Sequence, residues 1–289
     1  MIVYLNGQYI EKEKAMISPF DHGYLYGLGV FETIPTYSGH PFLLDDHLER
    51  LNEGLKELRI RVSMTRKKAL DIIQELCRRN GLPDSSVRLN VSAGLGEMGM
   101  QNEPYHRPTI FVFQRPFKRL HAMKEKEAVL LTLPRNTPET GKRLKSHHFL
   151  NNVAAKWELG SNGEQEGIFL TKEGHLAEGI VSNLFWVKEG MIFTPCLQTG
   201  ILDGVTRRFL MKLAERLHIP VQEGYFFPEE LDHAEEIFLT NSIIEIAPVR
   251  KMGDRSYPGI RGKYVRTLWE EYQRYCAYLW SAKELTFKL

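Results

Sequence analysis

Cysteine is scarce in this 289-residue chain: Cys77, Cys196 and Cys276 are odd in number and form no C-x-x-C pair. That argues against a disulfide framework and against a zinc site, and leaves ordinary thiols in a reducing compartment. No run approaches the roughly 18 uninterrupted apolar residues of a membrane span. The start, Met1-Ile2-Val3-Tyr4-Leu5-Asn6-Gly7, has no basic region followed by an apolar stretch. A soluble, cytoplasmic protein without a membrane partner is expected. Neither sign of charge is in large surplus, with 38 basic against 36 acidic residues and a net +2, so a nucleic-acid face is not expected. The local cluster Arg59, Arg61, Arg66, Lys67 and Lys68 reads as solvated helix and loop surface. The G-x-S-x-G elbow of a serine hydrolase is absent, as are internal repeats and low-complexity segments.

What is present reads as mixed α and β structure. Ile2-Val3-Tyr4-Leu5 followed by Asn6-Gly7 predicts a strand and a tight hairpin, because Asn-Gly tolerates positive φ at both turn positions. Leu44, Leu48, Leu51, Leu55 and Leu58 recur at helical spacing, with Asp45 or Asp46 as N-cap, and Ala69, Ile72, Ile73 and Leu76 define a second helix capped by Thr65. Alternation at Val87, Leu89 and Val91 predicts a strand, with 109–113 as its partner. A new strand is expected at 128–133, and further strands at 168–170, 184–187 and 237–239, among helices near 149–159, 204–217 and 262–280. At this length two domains are more natural than one. The break around Arg115–Leu120 places the expected boundary so that a smaller N-terminal domain spans 1–118 and a larger one 119–289. The fold class expected is α/β (α+β) in two domains.

Several short motifs carry chemistry. Gly94-Leu95-Gly96-Glu97-Met98-Gly99 matches G-x-G-x-x-G, but no apolar helix follows to hold a pyrophosphate, so it reads as a mobile loop that borders a substrate pocket. His147-His148 are adjacent, point in different directions and lack a third ligand, so no metal is expected. Lys145 precedes an apolar helical face of Phe149, Leu150, Val153, Ala154 and Trp157, where desolvation would make an amine nucleophilic; the competing reading is a solvated lysine. Glu178, in Glu178-Gly179-Ile180-Val181-Ser182-Asn183, supplies a carboxylate or is a plain turn residue. An amine and a carboxylate are what pyridoxal phosphate requires. Gly200 to Arg207 leads into a helix, so the amides of Gly204, Val205 and Thr206, with the Thr206 hydroxyl, form an anion site; the alternative is an N-cap by Asp203. Thr240-Asn241-Ser242 ends a strand and reads as a second wall. Arg50, beside the core residue Leu51, is a phosphate clamp or a surface ion pair.

In this order the motifs resemble fold-type IV pyridoxal-phosphate enzymes, which include branched-chain aminotransferases, D-amino-acid aminotransferases and aminodeoxychorismate lyases. The resemblance runs from Asn6-Gly7 through His22-Gly23-Tyr24-Leu25-Tyr26-Gly27 and Gly29-Val30-Phe31-Glu32 to Glu245-Ile246-Ala247-Pro248-Val249. It implies a two-domain subunit, a homodimer and pyridoxal 5'-phosphate. Lys145 matches the family's Schiff-base lysine, Glu178 the acid facing the pyridine nitrogen, and Arg50 the phosphate-binding arginine. Ser182 belongs to the same motif as Glu178, and Val205-Thr206 and Asn241-Ser242 match the phosphate-binding turns. D-amino-acid aminotransferases carry tyrosine where Phe31 stands and arginine where Ala93 stands, and branched-chain enzymes carry tyrosine where Leu150 stands. These departures make the chain most similar to the lyase group of Gram-positive type, which converts 4-amino-4-deoxychorismate to 4-aminobenzoate and pyruvate in folate biosynthesis. An aminotransferase of the same fold is the alternative. Phe31, Arg88 and Arg107 are the candidates for contacting a substrate with two carboxylates.

Overall fold

The computed structural model describes residues 1–117, 121–160 and 163–285. The chain divides into two compact units. One takes in Met1–Arg119, Leu144–His148 and Cys276–Glu284, and the other Leu120–Arg143, Phe149–Tyr275 and the C-terminal residues. The expected boundary between residues 118 and 119 falls outside the described residues. Among the described residues no helix is long and apolar enough to cross a membrane.

The first unit opens with β1 (Ile2–Leu5) and β2 (Gln8–Glu11), joined as expected through Asn6 and Gly7, both at positive φ. After α1 (His22–Tyr26) come β3 (Gly29–Tyr37), β4 (His40–Pro41), α2 (Leu44–Glu57), α3 (Arg66–Asn80), β5 (Ser85–Ser92) and β6 (Thr109–Pro116). They build one sheet in the order β2-β1-β6-β5-β3-β4. Alternation decides its faces. Val87, Leu89 and Val91 of β5 and Val30 and Ile34 of β3 face a core shared with Leu48, Leu51 and Leu55 of α2 and Ile72, Ile73 and Leu76 of α3. Each such side chain contributes about 1.5–3 kcal/mol by leaving water. The intervening residues, among them Phe31, Thr33, Arg88 and Asn90, lie on the other face.

Thr65 caps α3 as expected, accepting from the Lys68 amide at 3.3 Å. The expected cap of α2 is corrected: the N-cap is Leu43, in the left-handed region at φ 55, with no side-chain cap. Asp45 and Asp46 lie inside the first turn. There Asp45 pairs with Arg66 and Asp46 accepts from the Ala282 amide at 2.9 Å, so tertiary partners replaced the capping role.

The second unit contains β7 (Lys126–Leu130), α4 (Leu150–Leu159), β8 (Gln165–Leu170), β9 (Leu176–Gly179), β10 (Asn183–Lys188), β11 (Met191–Pro195), α5 (Val205–Arg216), β12 (Val221–Gly224), β13 (Glu236–Asn241), β14 (Glu245–Met252), β15 (Arg255–Ser256) and α6 (Lys263–Tyr275). The sheet order is β12-β11-β10-β13-β14-β7-β8-β9, with β15 on β14. β9 pairs back to β10 through Glu178 and Asn183, so part of the sheet closes on itself. β7 stops at Leu130, short of the expected 133, because the amides of Thr132 and Leu133 turn to the Glu158 carboxylate. α6 ends at Tyr275, before the expected 280.

One expectation about α4 fails. Its residues Leu150 and Trp157 are 73% and 72% exposed, Phe149 and Val153 are exposed as well, and only Asn152 and Ala155 are buried. The helix lays a narrow side on the core that holds Ala155, Phe169 and Ile180, so its apolar face is not the buried one.

Candidate functional site

In the first unit, Lys145 is not at the start of a helix. Residues 144–148 run extended along β3: the Phe31 amide donates to the Lys145 carbonyl at 2.9 Å, the His147 amide donates to the Gly29 carbonyl at 3.0 Å, and Val30 bridges Ser146. β5 occupies the other edge of β3, so this segment prolongs the sheet on the free edge. Leu144 packs on the helix-side core. Period-two alternation therefore sends Lys145 and His147 to the opposite face, with Phe31.

The contacts agree. The Lys145 Nζ lies 4.7 Å from the Phe31 ring centroid, the His147 ring stacks on Phe31 at 6.3 Å, and the Arg88 guanidinium sits 3.3 Å over the same ring. Gly29 is required here, since a β-carbon at that position would lie 2.4 Å from the His147 ring. Phe31 thus acts as a common platform for an amine, an imidazole and a guanidinium. Burial, and then the nearby Arg88, push the His147 imidazole down, so it is neutral at neutral pH. His148 turns away to the Tyr26 carbonyl.

On the helix side of the same strand, Glu32 is fully buried. Its carboxylate accepts from Arg50 Nε and Nη2, each at 2.7 Å, and from His47 Nδ1 at 2.7 Å. Burial alone would raise this carboxyl, but Arg50, followed by His47, outweighs it and holds Glu32 well below the usual carboxylate range. Burial lowers His47, so at neutral pH it is a neutral donor and Arg50 carries the countercharge. The surface ion pair that competed with the phosphate role of Arg50 is instead a buried one, only 12% exposed at the arginine. One edge of the guanidinium is committed to Glu32.

The second unit builds a separate group around Glu178, the penultimate residue of β9, directly opposite Asn183 of β10, itself opposite Thr240 of β13. A row across a sheet points to one face, so these three polar side chains stand together. Glu178 accepts from Arg135 Nε at 2.9 Å and from the Leu202 amide at 3.0 Å, with Arg143 at 3.7 Å. Arg135 is in turn held by Asn151 at 2.6 Å and Asn152 at 3.3 Å. The side chains of Asn151 and Asn152, placed by the start of α4, therefore orient the arginine that orients Glu178. Burial and the neighbouring Arg135 push Arg143 down to about 10. A carboxylate has about four acceptor directions, and the two hydrogen bonds fix its plane.

Gly179 and Ser182 close the turn after Glu178. The Gly179 amide donates to the Ser182 carbonyl at 2.7 Å, and a β-carbon at Gly179 would lie 2.2 Å from the Ser182 hydroxyl. The Ser182 hydroxyl donates to Glu166 at 3.0 Å, and burial raises the Glu166 carboxyl. Ser182 is thus engaged in holding the turn.

α5 starts at Val205 with Gly204 as its N-cap and no side-chain cap. The alternative of an Asp203 cap is not what forms: Asp203 lies 3.9 Å from Arg207 and from Arg208. The first-turn amides at Val205 and Thr206 have no intrahelical acceptor. A β-carbon at Gly204 would meet Asn183 Oδ1 at 2.0 Å, so the α5 N-terminus packs directly against the Asn183–Thr240 row. The Thr240 hydroxyl is buried there without a hydrogen-bond partner. Uncapped amides and an orphaned hydroxyl in one place fit an anionic group such as a phosphate. Asn241 differs from the expectation: its side chain donates to the Val181 carbonyl and accepts from the Ile243 and Ile244 amides, so it shapes its own turn. Ser242 follows, half-buried in that turn.

Residues 29–252 match the amino-transferase class IV family. The chain belongs to that family. It is an enzyme with pyridoxal phosphate as its cofactor. Aminodeoxychorismate lyase of Bacillus subtilis (strain 168) is 45% identical to this class IV chain over 269 residues, covering 92% of both. The solved 4-amino-4-deoxychorismate lyase from Pseudomonas aeruginosa has a TM-score of 0.83 at 27% identity, over 96% of this chain and 100% of that one. The branched-chain amino acid aminotransferase of Escherichia coli has a TM-score of 0.86 at 27% identity, over 99% of this chain and 97% of that one.

The 94–99 loop is held at two points, while Met98, between them and the end of the loop, stands 91% exposed. Gly94 closely approaches the Arg107 carbonyl, and the buried His22 ring bonds the Glu97 carbonyl at 2.9 Å. Arg107 is exposed and does not line the cavity on the outer face of the sheet, whereas Arg88 does. Glu32, His47, Arg135 and Arg143 were missed by sequence reasoning. Each stands in or near a quoted motif, but nothing in the sequence shows which charges pair across the fold.

Proposed function

We propose that this enzyme is a 4-amino-4-deoxychorismate lyase that releases 4-aminobenzoate and pyruvate. The observation that carries the reading is its 45% identity, over 92% of both chains, to the Bacillus subtilis lyase. Phe31 supports it. The ring stands where D-amino-acid aminotransferases place a tyrosine hydroxyl, and Ala93 is fully buried, so neither position offers a small amino acid a grip for its carboxylate.

Bound pyridoxal phosphate supplies an electron sink for the carbon that bears the substrate amine. Lys145 holds the cofactor covalently between turnovers. Its free amine would take the proton from the amine-bearing carbon of the substrate and then deliver a proton as the enolpyruvyl group departs. Glu178, fixed in plane by Arg135 and the Leu202 amide, would face the pyridine nitrogen and favour its protonated form. The α5 amides at Val205 and Thr206, with Arg50, bind the phosphate, and Asn241, Ser242 and Ser182 shape the turns around it. Phe31 and Arg88 meet the substrate. Arg107 remains a candidate substrate contact from its exposed loop. The enzyme works as a homodimer, a reading supported by the exposed apolar side chains of Leu150, Val153 and Trp157.

An aminotransferase would use the same lysine and glutamate but return the proton to the cofactor. Exchange of D-alanine or leucine with 2-oxoglutarate is therefore expected to be slow, at least about a hundredfold below turnover of aminodeoxychorismate, since poor orientation alone can reach that factor. Amino-group exchange measured with labelled amino acid decides this. Rapid exchange would return the protein to the aminotransferases.

A further inference from the structure

The outer face of the first sheet carries a cavity of about 650 Å³ that Thr33, Ser86, Arg88, Asn90, Arg115 and His147 help to line. The register places these residues. Arg88 of β5 lies opposite Thr33 of β3 and Phe113 of β6, while Arg115 lies opposite Ser86, one row further along. Arg88 and Arg115 are thus diagonal neighbours on one face, about 7–8 Å apart at the backbone. Among the described residues neither forms an ion pair. Arg88 donates to Asn90 at 3.2 Å and covers Phe31, and Arg115 lies 5.6 Å from the Phe113 ring. Burial, and then Arg115, push Arg88 down to about 10.

Among the described residues, the one carboxylate lining this cavity, Asp21, is engaged elsewhere. It accepts from the Gly23 amide at 2.7 Å and from the hydroxyls of Ser92 at 2.8 Å and Thr109 at 2.7 Å. Ser92 and Thr109 sit in the row of Gly29, at the far end from Arg115. The cavity is therefore polarised, with two like charges at one end and no anion between them. Two adjacent guanidinium groups repel each other unless an anion joins them. His147 adds a buried Nε2 without a partner. Along the face the order is Lys145, Phe31, Arg88, Arg115, which runs from the reactive amine toward increasing positive charge.

We infer that Arg115 is a specificity-determining residue, pairing with Arg88 to receive an amine substrate that carries two carboxylates, with the carboxylate further from the amine on Arg115. This rests on the lyase reading for the identity of the substrate, but the charge geometry requires only a dianion. Arginine suits the task because its planar fork grips a carboxylate through two parallel hydrogen bonds. A monocarboxylate amino acid would leave Arg115 unanswered.

The test is equilibrium binding to the purified holoenzyme, followed by the cofactor absorbance, of benzene-1,3-dicarboxylate against benzoate. The wild type is expected to prefer the dianion by about tenfold or more, the scale of one charge-assisted contact. Arg115→Gln should remove that preference and leave benzoate binding unchanged, with Arg115→Lys restoring part of it. With aminodeoxychorismate, Arg115→Gln should raise KM about tenfold while kcat stays within about twofold, as loss of a binding contact requires. Equal affinity for the two acids in the wild type, or an Arg115→Gln variant that keeps the preference, overturns the inference. So does a variant that weakens both acids alike. A wild type that makes no 4-aminobenzoate yet shows the Arg115-dependent preference would reject the lyase reading and keep this one.

Discussion

Lys145→Ala is expected to abolish turnover, with a loss of at least about a thousandfold in kcat, because the substitution removes both the covalent anchor and the proton carrier. The wild-type holoenzyme should be yellow. Borohydride should bleach it and leave a cofactor-sized mass on the peptide that contains Lys145. The alanine variant should bind the cofactor without acquiring that mass. Placement makes the expectation specific: Lys145 is pinned by the hydrogen bond from the Phe31 amide to its carbonyl and presents its amine beside the Phe31 ring. Labelling of a different lysine would remove Lys145 from the mechanism, whatever the family.

The second large effect lies behind the site. Glu32→Gln should destabilise the first unit by about 3 kcal/mol at neutral pH, because removing one member of a buried ion pair leaves the other uncompensated. Thermal melts of the apo protein check this. Glu32 has a folded value below its ordinary 4.5. Its stabilisation is therefore fully present above pH 4.5 and is lost as the pH falls below that toward the folded value. The glutamine variant should lack this part of the acid dependence. If Arg50 also receives the cofactor phosphate, saturating pyridoxal phosphate should recover part of the lost stability, since a ligand that binds only the folded state stabilises it. An unchanged melting temperature would show that the pair is not a net support. Arg50→Ala is a poor probe of phosphate binding by itself, because it strands the buried Glu32. Cofactor affinity is better read by comparing Glu32→Gln with the Glu32→Gln/Arg50→Gln double variant, in which no buried carboxylate is left alone.

Much of the first unit was legible because its signals are local. Asn6-Gly7 fixes a hairpin, leucine spacing fixes α2, and Thr65 fixes the start of α3. The cap of α2 was not legible: Asp46 is drawn to the Ala282 amide, a contact set by residues far along the chain. Lys145 was recognisable from its motif, but its setting was misread. Apolar residues after it at helical spacing suggested a buried helix, whereas they are exposed on α4, and the lysine owes its position to a sheet edge. Glu178 stood in a readable turn motif. Its orientation depends on Arg135, whose position no periodicity reveals. Asn241 looked like a ligand-binding wall and proves to be a turn former, while Thr240 beside it carries the unsatisfied hydroxyl. Arg115 opens the stretch that reads as a break between domains, whereas it lies inside β6, where the register sets it diagonal to Arg88.

The lyase reading meets its most direct test when purified holoenzyme is incubated with aminodeoxychorismate and no keto acid, and both products are quantified with time. The account predicts continuous release of 4-aminobenzoate and pyruvate in equal amounts over many turnovers. Absence of 4-aminobenzoate, or a single turnover that stops with the cofactor converted to its amine form, would contradict it.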